Sequence, residues 1–349
     1  MNNKDFNSID KCMPLLEKLC LANGASSDEE AVMDIILNEI KDYIDDYKID
    51  NLKNLIVYKK GKKRPKSTVM VSAHMDEVGF IITSITDSGF LKFSSVGGIN
   101  NSVICGKHVT VGKNKIPGVI GIKPIHMLKP DEKGKPVPIE DMYIDIGAKD
   151  KDDAMKYISL GDFAYFKAEF YESDGIIRTK AIDDRAGCLI LINMIKSELE
   201  YDTVFSFVTQ EEIGLRGAKT ASYTINPDIA IVIEATTASD LADTADHEKV
   251  CCINKGAVIS FMDKRTIYDR ELYKMAINSS KYTNVLVQEK RAVAGGNDAG
   301  AIQVSRNGVR TIAISIPARY LHCAAAMISK YDLYAVEKTA MYMLENINK

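Results

Sequence analysis

The chain of 349 residues carries 45 Lys and Arg against 48 Asp and Glu, a formal net charge of −3 at pH 7. That near balance gives no reason to expect nucleic acid or an anionic membrane as a partner, and no apolar run reaches the roughly 20 residues that cross a bilayer. The seven cysteines never stand in C-x-x-C spacing, and the start of the chain lacks the apolar segment of a secretory signal. We therefore predict a cytoplasmic protein with reduced thiols and no membrane or nucleic-acid partner.

The first quarter of the chain predicts two helices and then strands. Apolar residues at helical spacing over 15–20 predict the first helix. Ser27-x-x-Glu30 has the form of a capping box, which predicts the start of a second helix.

The apolar strand predicted over 68–74 delivers His74-Met75-Asp76 at its end. Residues two apart on a strand share a face. His74 can therefore bind a metal while Asp76 holds the site from behind it.

Between residues 79 and 162 the pattern changes to short β runs separated by Gly, Asn and Pro turns, which is typical of a small β-barrel or sandwich. On both sides of it, strands and helices alternate, and several strands are apolar throughout, as in a sheet that is covered on both faces. We predict an α/β fold with a mixed, mostly parallel central sheet flanked by helices. Residues 1–76 and 163–349 would form its discontinuous catalytic domain, and 77–162 an inserted β-barrel domain.

Three segments of the second half carry acidic residues directly after an apolar run. Asp183 and Asp184 follow a strand-like run over 175–179, Glu211 and Glu212 follow 204–210, and Glu234 ends 229–234. Neighbouring strand residues face opposite ways, so only a turn would bring both glutamates of the pair to one crevice. Spacing alone leaves it open whether that pair belongs to a site or to a solvated helix N-terminus.

The polar residues at strand ends form a set that suits divalent metal ions: His74, Asp183, Glu211, Glu212, Glu234 and His322. Imidazole with carboxylate favours zinc or cobalt rather than calcium, which prefers oxygen ligands only. Two ions bridged by one carboxylate, here Asp183, can activate a water. One carboxylate must then remain to act as general base.

Several segments in order along the chain resemble the tetrahedral aminopeptidase family, dinuclear metallopeptidases that include glutamyl, leucyl and lysyl aminopeptidases, some of them labelled cellulase M. The resemblance runs from about Leu15 to the C-terminus. It lies in these segments: Ala-His-Met-Asp-Glu-Val-Gly (73–79), Gly-Val-Ile-Gly-Ile-Lys-Pro-Ile-His (118–126), Tyr-Ile-Asp-Ile-Gly-Ala-Lys (143–149), Lys-Ala-Ile-Asp-Asp-Arg-Ala-Gly (180–187), Gln-Glu-Glu-Ile-Gly (210–214), Gly-Gly-Asn-Asp-Ala-Gly (295–300) and Arg-Tyr-Leu-His (319–322).

The resemblance implies a role for each site residue. One metal would be bound by His74 and the other by His322, with Asp183 bridging them. Glu212 would be a ligand and Glu211 the general base, while Asp76 would support the site without binding metal. The remaining ligand would be Glu234, which stands where the family usually has Asp. The resemblance also implies short peptides as substrates, and self-association through the inserted domain into dimers and a dodecamer built from them.

One segment departs from the family pattern. Where members typically continue Ser-Pro-x-Glu after the histidine, this chain has Cys323-Ala324-Ala325-Ala326. The missing Pro and Glu would leave the loop less constrained, and we expect a working site with weaker metal affinity on the His322 side.

The leading hypothesis is thus a metal-dependent aminopeptidase with two divalent ions. An amidase or deacylase on the same two-metal site is the alternative, because a fold does not determine its substrate. A hypothesis of a different class is a catalytically impaired metal-binding assembly protein, against which the presence of Glu211 argues. Endoglucanase activity would need paired carboxylates flanking a sugar cleft, whereas these carboxylates coincide with metal-binding histidines.

Overall fold

The computed structural model describes residues 7–127 and 134–349. Residues 1–6 and 128–133, which fall in the predicted ranges 1–76 and 77–162, lie outside the described residues. The helices are α1 (Asn7–Leu21), α2 (Glu30–Ile40), α3 (Lys151–Ala154), α4 (Ile182–Lys196), α5 (Arg216–Ile225), α6 (Arg270–Asn278), α7 (Ser280–Thr283), α8 (Ala299–Gln303) and α9 (Lys330–Asn346). The strands are β1 (Asp46–Ile49), β2 (Leu55–Lys59), β3 (Val69–His74), β4 (Gly79–Ile85), β5 (Leu91–Val96), β6 (His108–Val111), β7 (Ile116–Gly121), β8 (Tyr143–Asp145), β9 (Phe163–Phe166), β10 (Tyr171–Ser173), β11 (Ile176–Thr179), β12 (Thr203–Val208), β13 (Ile229–Thr237), β14 (Ala257–Ile259), β15 (Val287–Glu289), β16 (Arg310–Ala318) and β17 (Ala326–Ser329).

The central sheet has eight strands in the order β1-β2-β12-β3-β13-β16-β14-β15. Its middle strands β12, β3, β13 and β16 run parallel, and the outer strands add antiparallel pairs. All six residues of β3 are buried, as expected for a strand covered on both faces. Helices α4, α5, α8 and α9 pack against these strands. This confirms the predicted α/β fold with a mixed sheet flanked by helices.

A second core lies in a closed barrel of six strands, β4-β5-β8-β7-β6-β9. Its last strand, Phe163–Phe166, pairs with both β4 and β6 and so closes the barrel. The predicted boundary at residue 162 is therefore too early for the barrel strands, because closure requires four further residues. The division of the chain into two domains stays a prediction.

One local prediction from sequence is wrong. Helix α2 starts at Glu30 with Glu29 before it and no capping side chain, so Ser27-x-x-Glu30 is not a capping box. The strand that leads to Asp183 is β11, and it belongs to a separate sheet with β10 and β17 rather than to the central sheet. Among the described residues, no helix is both long and apolar enough to cross a membrane.

Candidate active site

The parallel strands bring three predicted site segments to one edge of the central sheet. His74 is the last residue of β3, and it lies beside Val208, the last residue of β12. Glu211 and Glu212 follow the end of β12 after two residues, Thr209 and Gln210. The pairing of β13 with β3 stops at Val232 and Ser72, two residues before Glu234 and His74. The strands separate there, and His74 Nε2 lies 3.5 Å from Glu234 Oε1.

Asp183 and His322 reach this edge from irregular backbone. Asp183 has φ −80° and ψ 105°, outside the helical region although it stands in the first turn of α4, and its peptide bond to Asp184 is cis. His322 follows β16 by four residues and has a φ of +57°. The loop that carries it is closed by two backbone hydrogen bonds between Arg319 and Met327, of 2.9 and 3.0 Å. Those two hydrogen bonds enclose residues 323–326, the segment that departs from the family pattern.

Asp183 lies between the two histidines and contacts each through a different carboxylate oxygen. His74 Nε2 is 3.2 Å from Asp183 Oδ1, and His322 Nε2 is 3.4 Å from Asp183 Oδ2. Each histidine also has a glutamate of its own, Glu234 for His74 and Glu212 for His322, the latter at 3.4 Å from Nε2. The five predicted metal ligands thus form two histidine–glutamate pairs that share one aspartate.

Both imidazoles are oriented by a backbone carbonyl at their second nitrogen. His74 Nδ1 donates to the carbonyl oxygen of Asp76 at 3.1 Å, and His322 Nδ1 donates to that of Gly98 at 2.7 Å. A carbonyl accepts only, so Nδ1 carries the proton and Nε2 is left for the carboxylates or a metal. Such second contacts are usual for metal-binding histidines. Gly98 follows barrel strand β5, so the barrel takes part in building the site.

Asp76 holds the segment that carries the two glutamates. Its Oδ1 accepts the backbone N–H of Glu211 at 2.9 Å, and its Oδ2 accepts that of Glu212 at 3.1 Å. The preceding residue, Gln210, has a φ of +56°. The backbone therefore turns between β12 and the glutamate pair, the alternative that spacing alone left open. After this turn the Glu212 side chain lies near Asp183.

Charges in this buried cluster shift its pKa values in opposite directions. Burial opposes ionisation of Asp183, but hydrogen bonds from His322 and His74 outweigh it and lower the pKa of that carboxyl. Burial, reinforced by the negative charge of Asp183, raises the pKa of Glu234 and of Glu212 to about 8. Burial opposes the charged form of His322, yet Asp183 and Glu212 raise the pKa of that imidazole to about 9. Without metal, the cluster therefore retains protons at neutral pH.

The donor set fits divalent metal ions. Ligand atoms of His74, Asp183 and Glu212 lie within 4.8 Å of one another, and so do those of His74, Asp184 and Glu234. The Oε2 atom of Glu234 is buried without a hydrogen-bond partner, and buried polar atoms are rarely left so. A cation beside it would satisfy this oxygen.

Sequence reasoning missed two buried carboxylates of the site. Asp184 lies in one of the two ligand groups and accepts the backbone N–H of His74 at 3.3 Å. The Asp-Asp pair was its only signal. Asp298 is 1% exposed, neither of its carboxylate oxygens has a hydrogen-bond partner, and burial raises its pKa to about 7. In the sequence, Asp298 stands in the Gly-rich segment 295–300, which was noted only as part of the family resemblance.

A small cavity opens beside Asp183, Glu212 and His322. Its other walls are mostly apolar: Val78, Phe166, Ala181, Ile182, Leu321, Cys323 and Ala326, with the buried Glu77 and Lys180. An apolar cavity that meets a polar cluster is the usual form of a small-molecule site.

Known proteins resemble this chain over nearly its whole length. A putative aminopeptidase from Acetivibrio thermocellus is 38% identical over 321 residues, which cover 91% of this chain and 94% of that protein. The TET aminopeptidase of the marine sediment archaeon Thaumarchaeota archaeon SCGC AB-539-E09 superposes with a TM-score of 0.93 at 31% identity, covering 98% of both chains. The TET1 peptidase of Pyrococcus horikoshii, described as assembling into a tetrahedron or a large octahedral shell, gives 0.84 at 34% identity, covering 96% of this chain and 99% of that one. The model of the M42 glutamyl aminopeptidase family matches residues 53–339, and the chain belongs to that family.

Proposed function

We propose that this aminopeptidase uses two divalent metal ions, zinc or cobalt, to remove N-terminal residues from short peptides. The observation that carries the proposal is the shared aspartate. Asp183 contacts His74 with one carboxylate oxygen and His322 with the other. One ion would be held by His74, Glu234 and Asp183, and the second by His322, Glu212 and Asp183.

Two ions at such a site lower the pKa of water and polarise a carbonyl group. Glu211, which follows β12, is an acidic side chain that this assignment leaves without a metal ion, and burial raises its pKa. A raised pKa makes the ionised carboxylate a stronger proton acceptor, which suits a general base. Glu211 would accept a proton from the attacking water and return it to the leaving amine. Asp76 keeps that backbone in place through its two hydrogen bonds.

The direct test is release of p-nitroaniline from a panel of aminoacyl p-nitroanilides by metal-stripped protein, with zinc or cobalt added back. N-acetylated substrates and a Glu211→Gln variant serve as controls. We expect turnover that needs both metal and a free amine. The variant should lose about 100-fold or more in kcat, the range of general-base catalysis, while it still binds two metal ions.

Other outcomes would replace the proposal. Turnover of only the N-acetylated substrates would identify a deacylase or amidase on the same site. Two bound ions with no turnover of any substrate would identify an assembly protein that has lost catalysis. Full activity of Glu211→Gln would remove that residue from the mechanism.

We also propose that the chain self-associates through its barrel into dimers and a dodecamer. A relative of similar structure is described as assembling into a tetrahedron or a large octahedral shell. The segment between barrel strands β8 and β9 exposes Met155, Tyr157 and Leu160 by 58%, 53% and 65%. Several exposed apolar side chains in one short segment favour an interface there. Light scattering coupled to size exclusion should give twelve subunits, and Leu160→Asp should yield smaller species.

We place the protein in the cytoplasm because none of its seven cysteines forms a disulfide.

A further inference from the structure

The loop between α1 and α2, residues 22–29, lies directly against the active-site backbone. Ala25 forms a β-bridge with Glu77, and the backbone N–H of Glu77 donates to the carbonyl oxygen of Gly24 at 2.9 Å. Ser26 and Glu29 are 2% and 3% exposed. This loop precedes the part of the chain that matches the family model, residues 53–339.

Ser26 holds the carboxylate that organises the glutamate pair. Its Oγ donates to Asp76 Oδ2 at 2.6 Å. The same oxygen accepts the backbone N–H of Glu212, and the other oxygen accepts that of Glu211. The serine hydroxyl therefore completes the set of donors that sets the orientation of the Asp76 carboxylate.

Glu29 holds the residue before the pair. Its Oε1 accepts the backbone N–H of Gln210 at 3.0 Å and that of Ser27 at 2.9 Å. Gln210 has a φ of +56°, a conformation that a residue with a Cβ keeps only when its surroundings impose it. Three successive backbone N–H groups, of residues 210, 211 and 212, are thus each held by a side-chain carboxylate.

We propose that Ser26 and Glu29 are positioning residues for the catalytic turn, Gln210–Glu212. The inference rests on the proposed function, in which this turn carries the general base and one metal ligand. Neither residue lines the cavity beside Asp183, Glu212 and His322. Ser26 acts through Asp76, and Glu29 acts through the backbone of Gln210. The turn is thus held in part by a loop that lies outside the matched family model, and Ser26 precedes Asp76 by 50 residues in the chain.

The first test compares Ser26→Ala with Ser222→Ala. Ser222 is also fully buried, and its Oγ donates to its own helix at the carbonyl oxygen of Ala218, 2.7 Å away. It is therefore a matched control for loss of a buried hydroxyl. At saturating metal we expect Ser26→Ala to lower kcat about 10- to 100-fold, the usual effect of removing a group that orients a metal site, with KM unchanged. The control should lose stability and keep its kcat.

The second test asks whether Ser26 acts through Asp76. In an Asp76→Ala background, the Ser26→Ala change should lower kcat no further, because the carboxylate that it orients is already gone. An additive loss would overturn the proposal. So would a kcat equal to wild type in Ser26→Ala, or an equal loss in Ser222→Ala.

The third test separates hydrogen bonding from charge at Glu29. Burial, followed by the negative charge of Asp76, raises the pKa of Glu29 to about 7, so its oxygen can accept both bonds without a full charge. Glu29→Gln keeps the acceptor oxygen and should retain kcat, whereas Glu29→Met has similar size, lacks the acceptor and should lose about 10-fold or more. Equal activity of the two variants would overturn the role of Glu29.

Failure of the proposed function is distinguishable from failure of this inference. If the wild-type protein cleaves no peptide, the aminopeptidase proposal fails, and cobalt binding followed by visible absorption decides the inference. We then expect Ser26→Ala to lower the affinity for the second cobalt ion about 10-fold, because the backbone of Glu212 is held less firmly. Ser222→Ala should bind cobalt as the wild type does. Unchanged cobalt affinity in Ser26→Ala would overturn the inference.

Discussion

The buried ion pair between Lys180 and Glu77 gives a quantitative test of the packing beneath the site. Lys180 Nζ lies 2.6 and 2.8 Å from the two carboxylate oxygens of Glu77, and both side chains are 3% exposed. Removing one partner of a buried pair typically costs about 3–5 kcal/mol, because the other charge stays buried without compensation. After Lys180→Met, Glu77 keeps Arg185 at 3.5 Å and the N–H of Gly24 at 3.2 Å. We therefore expect the lower end, about 3 kcal/mol.

The assay is urea unfolding of metal-free protein at one fixed concentration, followed by circular dichroism. Lys196→Met is the matched control, since its pair with Glu39 has the same 2.6 Å separation but is 29% and 34% exposed. Exposed pairs contribute about 0–1 kcal/mol. The Glu77→Gln/Lys180→Met double variant should lose about 2 kcal/mol less than the sum of its single changes. Equal losses in Lys180→Met and Lys196→Met, or simple additivity of the double variant, would refute the reasoning.

Three further predictions concern protons, packing and metal. The pKa values of Glu212 and Glu234 are about 8 against an ordinary 4.5, and that of His322 is about 9 against 6.5, so the folded metal-free chain retains protons that the unfolded chain releases. The melting temperature of the metal-free protein should therefore fall as the pH rises from about 5 to 9. A melting temperature that rises over this range in scanning fluorimetry would contradict the prediction. Gly217→Ala would place a Cβ 2.2 Å from the carbonyl oxygen of Thr209, so we expect the free energy of unfolding in urea to fall by about 3 kcal/mol. A fall of less than about 1 kcal/mol would contradict this prediction. His322→Ala should bind one metal ion rather than two by elemental analysis, whereas retention of both would refute the assignment of that ligand.

The sequence by itself determined the class of fold and the residues available for chemistry. Apolar runs in 68–74, 204–210 and 229–234 predicted buried parallel strands, and the structure has β3, β12 and β13 there. Carboxyl ends of parallel strands meet at one edge of a sheet, so His74 and Glu234 could be expected together before any coordinates. Local periodicity is sufficient for such inferences because it reflects which side of each strand or helix is buried.

Tertiary structure decided which side chains meet and what holds them. The sequence placed Asp183 after a strand-like run but could not show that this strand, β11, lies outside the central sheet, or that the aspartate reaches both histidines through irregular backbone. Ser27-x-x-Glu30 predicted a capping box, yet the folded loop uses Ser26 and Glu29 for contacts to Asp76 and Gln210. These partners are 50 and 181 residues apart in the chain. Hydrogen bonds over such separations leave no periodic trace in the sequence, because they form only once the chain has folded.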